Sequence, residues 1–168
     1  METMFYSQVD SPVGILTIAS DGSAITHLHI AGDRYFTDVP ADWRHDEAHP
    51  VLQQALRQLR EYFLGQRSKF DITIHPNGTP FQQQVWQALQ NLETHHPTTY
   101  QAIANSIGKP TAVRAVGSAV GRNPICIIIP CHRVFASNGG LGGYVAGLDK
   151  KTQLLDFERT HFMTWRHM

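Results

Sequence analysis

Cysteine is scarce in this chain, and so is acid over one long stretch; no apolar run is long enough to cross a bilayer. Of 168 residues only two are cysteine, Cys126 and Cys131, five positions apart. In the cytoplasmic setting expected below, such a pair reads as two thiols rather than a structural disulfide. No segment approaches the ~20 apolar residues of a membrane span, and the N-terminus lacks the basic-then-apolar order of a signal peptide. A soluble, cytoplasmic chain with no membrane partner is therefore expected. Nothing acidic occurs between Glu93 and Asp149, whereas Lys109, Arg114, Arg122 and Arg133 all fall there.

The formal net charge of zero hides that asymmetry. Residues 1–76 carry six Lys or Arg against ten Asp or Glu, and residues 77–168 carry eight against four. A locally positive surface on a neutral protein suits a polyanion bound with modest affinity, although chance clustering gives the same count. There is no internal repeat and no low-complexity segment.

The first thirty residues read as antiparallel strands, "MFYSQV", "GILTIA" and "AITHLHI", with "SDGS" as a hairpin signal. A polar loop follows to about residue 49. "VLQQALRQLREYFLG" then places Leu52, Ala55, Leu56, Leu59, Tyr62 and Phe63 on one helical face, with Gly65 as the stop. "HPNGTP" reads as a linker. Thr79 is expected to cap the next helix, with Pro80 at its first position and Gln82 completing a capping box, and Phe81, Val85, Trp86 and Leu89 turned inward.

Two short helical stretches come next, "TYQAIANSIG" and "TAVRAVGSAVG", joined by "GKP" in the outline of a helix-turn-helix. The second is nearly bare of long side chains: Ala112, Ala115, Gly117, Ser118, Ala119 and Gly121, with Arg114 the exception. A helix that reads bases in the major groove needs Arg, Asn, Gln or Lys to reach their edges. This one suits close approach to a backbone or narrow groove without reading sequence, or equally tight packing against another helix.

"PCHR", residues 130–133, places Cys131 beside His132 and Arg133, which could favour the nucleophilic thiolate. If the apolar run "ICIII" continued as a strand, neighbouring side chains would face opposite ways, so Cys–His cooperation requires a turn after Pro130 or a bridging water. Taken alone, the pair fits an inert buried thiol as well as a nucleophile.

The run "NPICIIIPCHRVFASNGGLGGYVAGLDKKTQLLDFE", with "TPFQQQVWQAL", "TTYQAIA" and "AVRAVGSAVGRNP" before it, resembles the O6-alkylguanine-DNA alkyltransferases over nearly all of residues 79–158. The N-terminal half resembles the small bacterial members in length and strand-first order. The resemblance implies an α+β protein. Residues 1–76 would form a small α/β domain with an antiparallel, ribonuclease H-like sheet. Residues 77–168 would form a mainly helical domain with a winged-helix-like helix-turn-helix.

It also implies roles. Cys131 would accept the alkyl group, with His132 as base through a water and Glu158 orienting it. Tyr100 would protonate the departing guanine and crowd the phosphate that rotates the nucleotide outward. Arg114 would fill the space of the flipped base, with Ala112, Ala115, Gly117 and Arg122 against the DNA. Asn123, with Pro124, would be the hinge before the nucleophile. Tyr144, Val145, Ala146 and Gly147 would close over the base pocket, and Cys126 would line its wall or simply pack.

The implied partner is double-stranded DNA carrying O6-alkylguanine, bound by a monomer without cofactor. Some family members hold zinc in the N-terminal half, but here no cysteine precedes Cys126. The pairs His27/His29 and His95/His96 lack a clear third ligand, so no metal is expected. Two other functions fit parts of the pattern. A cysteine hydrolase would use Cys131, His132 and Glu158 and turn over; a damage-binding protein without catalysis would not need Cys131.

Overall fold

The computed structural model describes residues 3–93 and 97–163; the pair His95/His96 lies outside them. The chain divides into two compact units. The first comprises residues 1–77 together with 124–128, and the second comprises 78–123 and 129–168.

In the first unit, β1 (Phe5–Val9), β2 (Leu16–Ser20) and β3 (Ile25–Ile30) form the antiparallel sheet that their β-branched, alternating sequences predict. The polar loop hides a further short strand, β4 (Arg44–His45), which pairs parallel with β1 and gives the order β3-β2-β1-β4. Two polar, exposed residues carry no strand signal of their own; the β1 edge recruits them. β3 also receives residues 124–126: Leu28 N–H donates to Pro124 O and Cys126 N–H to Leu28 O, both 2.9 Å.

Helix α1 (Pro50–Phe63) turns Leu52, Ala55, Leu59 and Tyr62 inward as its periodicity predicts, with Leu56 and Phe63 half-buried. It also buries Gln58, whose amide makes two hydrogen bonds to the Asp71 backbone, at 3.0 and 2.8 Å. A buried amide paired this way is satisfied, so it costs little.

The second unit begins with α2 (Pro80–Gln90). Its capping box is present: Gln82 N–H donates to Thr79 Oγ1 at 3.1 Å and Thr79 N–H to Gln82 Oε1 at 2.9 Å. Val85, Trp86 and Leu89 are buried, and Phe81 is half-buried. Gly78 is required before the cap, because a Cβ there would lie 2.5 Å from the Trp86 ring. Helices α3 (Tyr100–Ser106) and α4 (Val113–Gly121) follow, and Trp86 Nε1–H donates to Ala119 O of α4 at 2.8 Å. Two short strands, β5 (Thr98–Thr99) and β6 (Val134–Phe135), pair in parallel. Helix α5 (Leu148–Glu158) runs into a wider turn, Arg159–Met163.

Candidate active site

The apolar run 125–129 does not continue as a strand. Ile127 has φ 71, and Ile128 N–H donates back to Cys126 O at 2.7 Å, a tight reversal that a β-branched residue rarely adopts. At Pro130 (φ −81, ψ 64) the chain reverses again, with Cys131 N–H donating to Ile129 O at 2.8 Å. Buried Asn123 holds the same carbonyl through Nδ2 at 2.7 Å. Cys131–Arg133 then form one 3₁₀ turn. This is the turn after Pro130 that Cys–His cooperation requires.

The turn presents three buried side chains. Cys131 is 2% exposed and His132 is wholly buried. His132 Nε2 lies 2.7 Å from Glu158 Oε2, which fixes the proton on Nε2 and leaves Nδ1 with its lone pair and no partner among the described residues. Arg133 grips the same carboxylate in a fork: Nε donates to Oε1 and Nη2 to Oε2, both at 2.9 Å. Nη1 reaches Leu92 O at 3.3 Å. Arg133 is thus not the DNA-facing cation that the basic stretch suggests; its charge is spent on Glu158 inside the unit.

The charges follow from this geometry. Burial alone would raise the Glu158 carboxyl, but the donors on His132 and Arg133 override it and hold Glu158 well below the usual carboxylate range. For His132, burial is the larger effect: it pushes the imidazolium pKa down, against the pull of Glu158 and with the help of Arg133 and Lys151. A neutral imidazole anchored at Nε2, with a free lone pair on Nδ1, is equipped to take a proton.

Tyr100, at the start of α3, is half-buried. Burial raises its phenol, a hydrogen bond to the Gly143 backbone lowers it, and the charge of Cys131 raises it. The phenol therefore keeps its proton at neutral pH. The glycine-rich loop meets it directly: Gly142 (φ +71) has no room for a Cβ, which would fall 2.7 Å from the Tyr100 hydroxyl. Tyr144, Val145 and Ala146 are buried, and Gly147 (φ +103) closes their turn onto α5, its N–H donating to Tyr144 O at 3.0 Å. Cys126 lies in the first unit, fully buried in the segment beside β3, and neither cysteine is in a disulfide.

On α4 the exposed positions are Arg114, Ala115 and Ser118, with Ala112, Gly117 and Gly121 half-exposed and Arg122 exposed at the C-terminal end. Val116, Ala119 and Val120 face inward. The small residues divide between two faces: Ala119 is buried, its carbonyl accepting from Trp86, while Ala115 and Ser118 are exposed beside the one long cation, Arg114.

One residue of the cluster is not singled out by the sequence. Lys151 is wholly buried and donates to Val134 O (2.5 Å), Gly143 O (3.1 Å) and Leu141 O. Its neighbour Lys150 looks identical in the sequence. The available signal is the helical phase: Glu158 faces inward, and seven residues back on the same face stands Lys151, with Leu154 between. Among the described residues no group of three or more His, Cys, Asp or Glu side chains is placed to hold a metal.

Comparison with known proteins covers both units. Residues 4–76 match the family model of the 6-O-methylguanine DNA methyltransferase ribonuclease-like domain, and residues 80–160 that of its DNA-binding domain. A methylated-DNA–protein-cysteine methyltransferase of Methanosarcina barkeri is 44% identical over 94% of this chain and 99% of its own. The crystal structure of the Mycobacterium tuberculosis O6-methylguanine methyltransferase is 41% identical, covering 95% of this chain and 94% of that one, with TM-score 0.85. A structure of Mycobacterium tuberculosis OGT in complex with DNA, also 41% identical, covers 94% of each chain with TM-score 0.84.

Proposed function

The chain belongs to the 6-O-methylguanine DNA methyltransferase family, and from that premise we propose that Cys131 takes the alkyl group from O6-alkylguanine in duplex DNA, once and irreversibly. The activity is that of a methylated-DNA–protein-cysteine methyltransferase, and its partner is DNA. The observation that carries the assignment to Cys131 is the buried network in which His132 and Arg133, on its own 3₁₀ turn, hold Glu158 of α5.

The steps follow from the chemistry. His132 Nδ1 takes the thiol proton through a water, Glu158 holding the ring in the required tautomer. The Cys131 thiolate attacks the methyl carbon; the S–C bond forms as the O6–C bond breaks. The electron pair passes into the guanine ring, which Tyr100 protonates from its phenol. The product is a thioether with no acyl bond for water to cleave, so the second half of ordinary covalent catalysis is missing.

The methyl group of a paired guanine is unreachable inside the stack, so the nucleotide must be rotated out. Exposed Arg114 fills the gap it leaves, and the small residues around it allow α4 to approach without reading sequence. Repair at any guanine requires that indifference. A free nucleophilic thiol is kept reduced in the cytoplasm, which is the compartment we propose for the reaction. No described helix is long and apolar enough to cross a membrane.

Intact-protein mass spectrometry after incubation with duplex DNA containing O6-methylguanine tests the proposal. One methyl group per chain, mapped to Cys131, is expected. Repeated turnover by unmodified protein would overturn it in favour of a hydrolase.

A further inference from the structure

A lysine ammonium has three N–H donors and no acceptor. Lys151 has three acceptors around it, all backbone carbonyls: Val134 on β6, and Leu141 and Gly143 in the glycine-rich loop. Donors and acceptors match in number, and the Phe135 ring lies 5.4 Å from the ammonium as a further cation-binding surface. No carboxylate pairs with this wholly buried charge among the described residues; its hydrogen-bond acceptors are all backbone carbonyls.

Two of the carbonyls it gathers, those of Leu141 and Gly143, belong to the segment that meets the catalytic phenol. Gly143 hydrogen-bonds Tyr100 through its backbone, and Gly142 fits against the Tyr100 hydroxyl with no space for a side chain. Apart from the exposed Leu141 the segment is glycine, with few side chains to hold a conformation, and conformational freedom is largest there. Something outside the segment must fix it.

We infer that Lys151 is the positioning residue of the site, a latch whose protonated amine ties residues 141–143 to β6 and so holds Tyr100 in place over Cys131. The inference rests on the roles given above to Tyr100 and Cys131. A neutral amine has two donors and a lone pair. On deprotonation one carbonyl loses its donor and the lone pair faces the carbonyl oxygens, so the latch opens.

The groups that face Lys151 are Cys131 and His132 on the 3₁₀ turn and, through Gly143, Tyr100 on α3; β6 and residues 141–143 carry no titratable side chain. Burial brings the Lys151 pKa down to about 8, and attraction to Cys131 resists that fall. Tyr100 is shifted the other way, above its ordinary range, so it does not lose its proton in the same window.

The test follows two signals across pH 6–10: the single-turnover rate of methyl transfer and the backbone amide resonances of Gly142 and Gly143. In the wild type both should change with one midpoint near pH 8, the rate falling roughly tenfold per pH unit above it, as for loss of one essential proton. K151M should be slower at pH 7 and should show that midpoint in neither signal. K151R, which cannot lose its charge in this range, should recover part of the rate without the alkaline fall.

If K151M keeps the alkaline fall, or if the Gly142 and Gly143 resonances of the wild type do not move near pH 8, the latch is overturned. The second criterion uses only wild-type protein and stands even if the variants fail to fold. A wild type whose resonances titrate but which transfers no methyl group would refute the transfer reading and leave the latch intact.

Discussion

Two buried histidine–carboxylate pairs occur among the described residues, one in each unit, and they look alike at first contact. His29 Nδ1 lies 2.7 Å from Asp33 Oδ2 in the first unit, and His132 Nε2 lies 2.7 Å from Glu158 Oε2 in the second. Each leaves its other ring nitrogen buried without a partner among the described residues. The surroundings separate them. Asp33 spends its second oxygen on Tyr35 N–H at 2.8 Å, and the Phe36 ring stacks on His29 at 4.1 Å. Glu158 instead receives a bidentate guanidinium, and its histidine sits one residue from a thiol and within electrostatic reach of a buried ammonium. A dyad by itself orders a loop; a dyad with a nucleophile and two fixed cations around it can move a proton.

The sharpest break in this comparison is C131A, which should abolish methyl transfer completely while leaving both dyads and DNA affinity in place; a residual stoichiometric transfer would mean another acceptor. Next is the carboxylate pair. E158A leaves Arg133 buried and unpaired and should destabilise the fold by about 3–5 kcal/mol. E158Q should fold, bind DNA normally and transfer slowly because His132 loses its orientation. An unchanged transfer rate in E158Q would remove Glu158 from the relay.

The same carboxylate sets a pH dependence of stability. Its folded-state pKa is depressed, so its contribution is fully present above the unfolded carboxyl value of ~4.3 and disappears as pH falls through the folded value. The urea midpoint of the wild type should therefore exceed that of E158Q at pH 7, and the gap should close in acid below about pH 4.

D33N should cost less, about 1–3 kcal/mol, the penalty of one broken buried hydrogen bond. It should leave the transfer rate unchanged. A slowed rate would mean that the first-unit dyad also serves the chemistry, and the distinction between the two would fail.

The smallest effect concerns the exposed cation. R114A should slow transfer from duplex DNA more than transfer from free O6-benzylguanine, by roughly tenfold if Arg114 offsets ~1.4 kcal/mol of the unstacking cost. Equal slowing on both substrates would assign Arg114 to the fold.

The sequence carried what depends on local pattern. The three strands, the capping box at Thr79 and Gln82, and the inward faces of α1 and α2 are periodicity and cap chemistry, and both are local. Cys131, His132 and Glu158 stand out through motif and resemblance, and the structure brings His132 and Glu158 together. What was illegible depends on distant partners. Arg133 reads as a surface cation until Glu158, 25 residues on, is seen to claim it. Lys151 cannot be told from Lys150 without knowing which helical face is buried. β4 exists because β1 has a free edge, and the reversal at Ile127 contradicts the β-branched run in which it lies.

The segment 124–128 belongs to the first unit although it is encoded inside the second. During synthesis, therefore, the sheet cannot receive its last segment beside β3 when residue 77 leaves the ribosome; it waits until residue 128 has emerged. At roughly 5–20 residues per second that interval is a few seconds. For that time Leu28 has a bare backbone edge, and α2, α3 and α4 are all made before it is covered. Completion of the first unit and placement of the nucleophile turn, which begins three residues after the segment ends, are thus consecutive events on the growing chain. A nascent chain halted shortly after residue 123 would hold both units unfinished.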